Sequence, residues 1–270
     1  MATTDVAGAP LVVALHGGGY HRGYFDVPGH SLLELGAAAG FRVFTLDRPG
    51  YGVSDPLPGG ETTFARQAEA LDATIGAVWA EHGEGSPGVV LLGHSIGGAI
   101  AVHIAARHPR WPLLGLSIHG VGDRSPAHIT DAWHALPADG PVELPAEQRR
   151  ALLYGPDGTV DADAVEAAKA AVEPVPLAEM LEIVTEWPAE VAGLAAAVTA
   201  PVQYTLAEHD GLWAVDESRV TAFAEYFGAA PWVDARLQAG AGHNLDHHRL
   251  SSALHLRQLA FAAECGARLG

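Results

Sequence analysis

Lysine and cysteine are almost missing from this 270-residue chain: Lys169 stands alone against 14 arginines, and Cys265 is the sole cysteine. A single cysteine closes no internal disulfide, so nothing covalent is expected to hold the fold. Lys169 lies in a charged helical stretch with no buried setting to lower its pKa, which excludes a Schiff-base mechanism. Aromatic residues make up only 7%. No apolar run approaches the roughly 18–20 residues that cross a bilayer. The opening Met1-Ala2-Thr3-Thr4-Asp5 has no basic region followed by an apolar stretch, so no secretory signal is indicated and a cytoplasmic location is expected. Positive charge is scarce as well. Fifteen Lys and Arg face 32 Asp and Glu, a net of −17, which argues against nucleic acid and anionic membrane surfaces as partners.

What is present is apolar: 49% of the residues are hydrophobic, enough for one large core with an insertion. Strand-like and helix-like patterns alternate from the start, which predicts a mainly parallel, twisted sheet with helices on both faces, an α/β architecture. Strands are expected at 10–15, 41–46, 89–92, 113–119, 201–206 and around 232–237. Helices are expected at 31–39, 62–81, 99–106, 216–227 and 250–267. The rhythm breaks between Asp123 and Val198, where eight prolines interrupt an acidic, helical stretch of 14 acids and four bases with no strand-like run. The expected organisation is therefore a core of 1–122 and 199–270 interrupted by a helical cap at 123–198.

The most informative segment is Val89-Val90-Leu91-Leu92-Gly93-His94-Ser95-Ile96-Gly97-Gly98. A buried strand runs into G-x-S-x-G and then into a helix. A serine on so sharp a turn is held in a strained conformation, and the flanking glycines are required because a Cβ there would strike the neighbouring strand and helix. The turn projects the hydroxyl of Ser95 out of the sheet with the amide of Ile96 and the helix N-terminus beneath it, where negative charge develops during acyl transfer.

On these residues the chain resembles the α/β-hydrolases of the esterase, epoxide-hydrolase and proline iminopeptidase-like group, over essentially its whole length. Asp47-Arg48-Pro49-Gly50-Tyr51-Gly52-Val53-Ser54 is similar to a structural D-x-R-G-x-G-x-S loop of that group, and the insertion occupies the place of its cap. The resemblance implies a Ser, acid, His order along the chain. Gly240-Ala241-Gly242-His243-Asn244 then supplies the base, His243. Asp210 before Gly211 is favoured as the acid, with Glu208 and Asp123 as alternatives; Asp123 also suits a helix N-cap. His16-Gly17-Gly18-Gly19 resembles the family's oxyanion loop, which makes Gly18 the second oxyanion donor beside Ile96, with Gly19 next in line. His16 is expected to brace that loop and His94 to pack beside the elbow. Gly19, His94, Trp187 and Trp213 are the expected substrate-binding residues. His247 and His248 are expected at a solvated helix start. His243 and His247 have i, i+4 spacing, yet the Glu of a zinc-hydrolase pattern is missing, so neither metal nor cofactor is expected.

The dehalogenases and epoxide hydrolases of the group carry Asp at the elbow, and Ser95 departs from them. Acyl transfer through a serine ester remains: hydrolysis of a carboxylic ester, lactone or related acyl bond. The alternatives on the same scaffold are an aminopeptidase, a C–C hydrolase, and a biosynthetic cyclase or thioesterase; a small-molecule receptor is the reading from another class. The acidic insertion favours a neutral or cationic small-molecule substrate. No arginine cluster marks an anion grip, although Arg22, Arg48 and Arg124 are expected on loops at the active end of the sheet. Oligomeric state is left open.

Overall fold

The computed structural model describes residues 8–137 and 140–269. β1 (Leu11–Leu15) passes through a 3-10 turn to α1 (Leu32–Ala38) and β2 (Arg42–Leu46). A 19-residue α2 (Phe64–His82), β3 (Val89–His94), α3 (Ile96–Ala106) and β4 (Leu113–His119) follow. The insertion then contributes α4 (Ala127–His134), β5 (Pro141–Val142), α5 (Ala146–Leu153), α6 (Ala162–Ala168), β6 (Val175–Pro176), α7 (Leu177–Val184) and α8 (Glu186–Ala196). β7 (Val202–His209), α9 (Glu217–Glu225), β8 (Val233–Gly242) and α10 (Ser251–Leu269) complete the chain.

The main sheet has six strands in the order β2-β1-β3-β4-β7-β8, and every pairing is parallel. The pleat divides the core in two. Leu11, Val13, Leu15, Val89 and Leu91 face one cluster with α2, α3, α8 and α9, whereas Val12, Ala14, Val90 and Leu92 face the other with α1 and α10. Apolar residues on both faces explain why β1 and β3 read as continuous hydrophobic runs. The order of strands reverses between β1 and β3, and in open parallel sheets the crevice beyond the strand ends at such a switch point is where ligands bind.

Three expectations are corrected. The insertion does hold strand: Pro141 and Val142 pair antiparallel with Pro176 and Val175, a ladder too short to show in periodicity. β8 extends to Gly242, past Leu237, its last large apolar residue, with Gly240 at φ 64° and a register shift against β7 between Ala207 and His209 carrying the pairing on to His209 and Gly242. Finally, α8 does not belong to a roof. A parallel β4-to-β7 connection needs a crossover helix, and α8 takes that place: Trp187, Val191 and Ala195 are buried in the main core beside Ile100 and Val121.

The insertion is tied to the core by charge. Arg48 is completely buried; its guanidinium donates to both carboxylate oxygens of Glu179 on α7, at 3.2 and 2.9 Å, and to Gln67 Oε1 at 2.6 Å. Tyr51 Oη and Gln67 Nε2 add two donors to the same carboxylate, each at 2.8 Å. Arg48, expected on a loop at the active end of the sheet, is an anchor beneath α7. A carboxylate with four donors is stable where a lone buried charge is not.

Imidazoles line the floor beneath the loops. His16 Nε2 accepts from Arg48 N at 3.0 Å while its Nδ1 donates to Gly17 O at 2.8 Å, bracing the loop as expected. His247 donates from Nε2 to Tyr24 O and accepts at Nδ1 from Tyr154 Oη; His248 accepts at Nε2 from Gly242 N and donates from Nδ1 to Thr159 O. Both are fully buried rather than solvated, because a 3-10 turn at Leu245–His247 folds them under α10's start. Each of these rings needs one unprotonated nitrogen as acceptor. Burial lowers the pKa of His16 well below its ordinary value and brings His247 and His248 to about 4.

Two predictions follow from this packing. Glu179→Ala leaves the Arg48 charge buried and unpaired, and should cost roughly 3–5 kcal/mol in urea unfolding; a loss under about 1 kcal/mol would show that the pair anchors little. For the imidazoles, a depressed folded pKa means that the unfolded chain binds more protons between pH 6.5 and 4. Stability should therefore be full above pH 6.5 and fall toward pH 4, by roughly 2 kcal/mol each for His247 and His248 at pH 5. A thermal midpoint flat between pH 7 and 5 would contradict this.

Candidate active site

Ser95 sits between β3 and α3 at φ 52°, ψ −123°, one of two non-glycine residues at positive φ among the described residues. Its own amide donates to His119 O at 2.9 Å, which pins the turn against β4. The neighbouring glycines are there for space. A Cβ on Gly93 would lie 2.5 Å from Gly97 O, and one on Gly97 would lie 2.2 Å from Leu15 O, so β1, β3 and α3 meet with no room for a side chain.

The loop after β1 lies directly against this turn. A Cβ on Gly17 would stand 2.9 Å from Ser95 Cβ, and one on Gly18 would stand 2.8 Å from Ile96 Cδ1. Gly18 thus lies against Ile96, the residue that follows the serine. Ile96 is the first residue of α3, where a backbone N–H has no partner one turn back in its own helix.

His243 follows the last residue of β8. Its Nε2 accepts from Ser95 Oγ at 2.9 Å, and its Nδ1–H donates to Asp210 Oδ2 at 2.8 Å. The carboxylate only accepts, which fixes the proton on Nδ1. Asp210 Oδ1 accepts from Leu212 N at 2.9 Å, so both oxygens are held. All three residues are buried, Ser95 at 7%, Asp210 at 8% and His243 at 3% exposed, and the Asp210 side chain itself is fully covered. The alternative acids are engaged elsewhere. Glu208 caps the β8 bulge through Gly240 N at 2.9 Å, and Asp123 accepts from Tyr226 Oη at 2.9 Å.

Ser95 opens into a cavity of about 500 Å³, within the range of small-molecule sites. Gly18, Gly19, His94, Ile96, Trp213 and His243 line it on the core side. Ile129, Trp133, Val142, Met180 and Ile183 face them from the insertion, and Glu143, Arg149, Lys169 and Glu173 also line it. Trp187 is corrected. Carried into the core by α8, it is 1% exposed and donates from its indole to Gly122 O at 2.7 Å, away from the cavity lining. Trp213 does reach the cavity while its Nε1 holds Gly120 O at 3.0 Å.

His94 lines the cavity too, but its polar atoms serve the protein. Nε2 donates to His243 O at 3.0 Å, the ring stacks on Tyr24 at 4.4 Å, and Nδ1, close above Gly17, has no hydrogen-bond partner. Behind it lies a carboxylate missed from sequence. Asp246, fully buried, accepts from His119 at 2.7 Å, Tyr24 Oη at 2.8 Å and His255 at 3.0 Å. His119 and its fellow donors hold the Asp246 carboxyl well below the usual carboxylate range, against the opposing effect of burial. Its signal was a carboxylate set among histidines, three residues after His243. Glu179, also missed, carried a similar signal, an acid on α7 beside Met180 and one turn before Ile183.

A family model described as the alpha/beta hydrolase family matches residues 12–256. Among curated proteins, protein phosphatase methylesterase 1 of Mus musculus is 34% identical over 108 residues, which is 40% of this chain and 26% of that protein. The chain thus spans about a quarter of the length of the curated relatives it matches. Among solved structures, a thermophilic esterase from Thermogutta terrifontis shares 21% identity with TM-score 0.65, covering 94% of this chain and 92% of that one. A monoacylglycerol lipase from Paleococcus ferrophilus shares 20% with TM-score 0.67 over 96% of both chains, and a monoglyceride lipase from Saccharomyces cerevisiae 15% with TM-score 0.73 over 98% and 89%. At such identities the likeness is one of fold. The family model, running from β1 into α10, carries more: the chain is a member of the alpha/beta hydrolase family.

Proposed function

We propose that this hydrolase cleaves a carboxylic ester or related acyl bond through an acyl-enzyme on Ser95. The observation that carries the reading is the unbroken Ser95–His243–Asp210 hydrogen-bond chain opening into the cavity. As Oγ attacks the acyl carbon, His243 Nε2 takes its proton, and Asp210 stabilises the imidazolium. Negative charge collects on the carbonyl oxygen, facing the amides of Ile96 and Gly18. The bond to the leaving group then breaks, and the His243 proton passes to the departing oxygen. Water, deprotonated by His243, attacks the acyl-serine and releases the acid, restoring Ser95.

The apolar walls suit a hydrocarbon-rich acyl or alkyl group. Substrate charge does not follow from the insertion's net −10, since the cavity itself is lined by two acids and two bases, Glu143, Glu173, Arg149 and Lys169. Esterases and a methylesterase among the similar proteins support hydrolysis over a receptor role.

Ser95→Ala should lower kcat on p-nitrophenyl butyrate by at least about 10⁴-fold with an unchanged thermal midpoint, and fluorophosphonate labelling should vanish with it. Retained turnover in this variant would refute the reading. Asp210→Asn should cost about 10⁴-fold, whereas Glu208→Gln and Asp123→Asn should stay near the parent rate; the opposite pattern would move the acid.

His94 is read as a positioning residue for His243 rather than a substrate contact. His94→Leu should lower kcat by roughly 10- to 100-fold with KM little changed, the scale expected when a catalytic group is displaced by about 1 Å. His94→Gln, whose amide can donate at similar reach, should restore most of it. A change confined to KM would instead make His94 part of the binding surface.

A further inference from the structure

We infer that the substrate is an ester dissolved as single molecules, taken from water rather than from a lipid surface or droplet. This rests on the acyl-hydrolase reading and deepens it. Three independent features carry it.

The roof over Ser95 is fixed at many points. Besides the buried Arg48–Glu179 pair, Glu182 on α7 accepts from Phe64 N at the start of α2 at 2.8 Å, and Glu173 accepts from Gly52 N at 3.1 Å. The backbone of α5's end is bonded to the loops that hold the acid and base: Leu152 O accepts from Gly211 N at 3.2 Å, and Leu153 O accepts from Asn244 N at 2.9 Å. Swinging the roof aside would strip Arg48 of its counter-ion and unpair the backbone beside both Asp210 and His243. A catalytic site whose own loops are hydrogen-bonded to its roof is assembled only with the roof in place.

Among its described residues the roof also presents no well-exposed large hydrophobic side chain to a lipid surface. Ile129, Trp133, Val175 and Met180 pack together inward. The large hydrophobic residues that are well exposed among the described residues are Val53, Leu250, Leu256 and Leu269, all outside 123–198. An interfacial element needs an apolar outer face, with basic residues where the lipid is anionic. The exposed charges of this one are mostly acidic, among them Asp131, Glu143, Glu147, Asp157, Asp161 and Glu166.

The cavity lining, lastly, carries four charged side chains on its insertion side, Glu143, Arg149, Lys169 and Glu173. Lys169, paired with Glu166, is half exposed, and Glu143, Arg149 and Glu173 lie on the same insertion. A hydrated molecule can pass such groups, whereas an acyl chain sliding from a bilayer would meet them undissolved.

The test is the initial rate on tributyrin as its concentration crosses the solubility limit, together with sedimentation of the protein with phosphatidylcholine vesicles with and without phosphatidylglycerol. The rate should saturate hyperbolically and stay within twofold on crossing the limit, with the protein left in the supernatant of both vesicle types. A rise of fivefold or more at the limit, or co-sedimentation with either vesicle, would overturn the inference. Vesicle binding is read whether or not esters are turned over. Absence of turnover together with an unlabelled Ser95 would instead count against the acyl-hydrolase reading itself.

Discussion

The structure depends on one steric constraint: three backbones meeting at Gly93 and Gly97 with no space for a single Cβ. Leu15 O presses on Gly97, and Gly97 O presses on Gly93. Only because β1, β3 and α3 come this close does Ser95 turn its hydroxyl outward with a helix N-terminus beneath it. The positive φ of Ser95 is a local cost of order 1–3 kcal/mol, and the surrounding sheet, with β4 accepting the Ser95 amide, over-determines it. Strain there and rigidity around it are two aspects of the same packing.

The second organising device is a layer of neutral imidazoles under the active loops. Each has one nitrogen donating and one accepting, or in His94 one left without a partner, and each ties together segments far apart in the chain. His16 joins the β1 loop to Arg48, His248 joins β8 to Thr159 in the insertion, and His94 joins the elbow to the backbone of His243. Asp246 closes this layer from behind, accepting hydrogen bonds from His119, His255 and Tyr24. Neutral rings can make such cross-links in a dry interior where a lysine or arginine would bring a charge to be matched. Arg48 is the exception, and Glu179 matches it.

Local pattern made the sheet and the candidate catalytic groups legible. β1, β3 and β4 are short runs rich in Val, Leu and Ile, the elbow has its own steric signature, and His243 stands where a strand gives out. Trp187 was misplaced because its neighbours read as a roof. Only the topological demand for a crossover between β4 and β7 puts α8 into the core, and that demand is invisible until the strand order is known. His247 and His248 looked solvated because histidine beside a helix start usually is; their burial comes from partners at Tyr24, Tyr154 and Thr159, about 90 to 220 residues away. Charge totals failed for a related reason. A net count over 123–198 says nothing of which face each carboxylate occupies, and Glu179 spends its charge inside the protein.

The isolation of Lys169 gives the molecule a built-in address. Its ammonium is half exposed at the margin of the chamber over Ser95, and no other side-chain amine exists anywhere in the 270 residues. Amine-directed dyes, spin labels or surface tethers will therefore report from the mouth of the chamber, competing only with the α-amino group. A spectroscopic reporter can thus be placed beside the cavity without changing one residue.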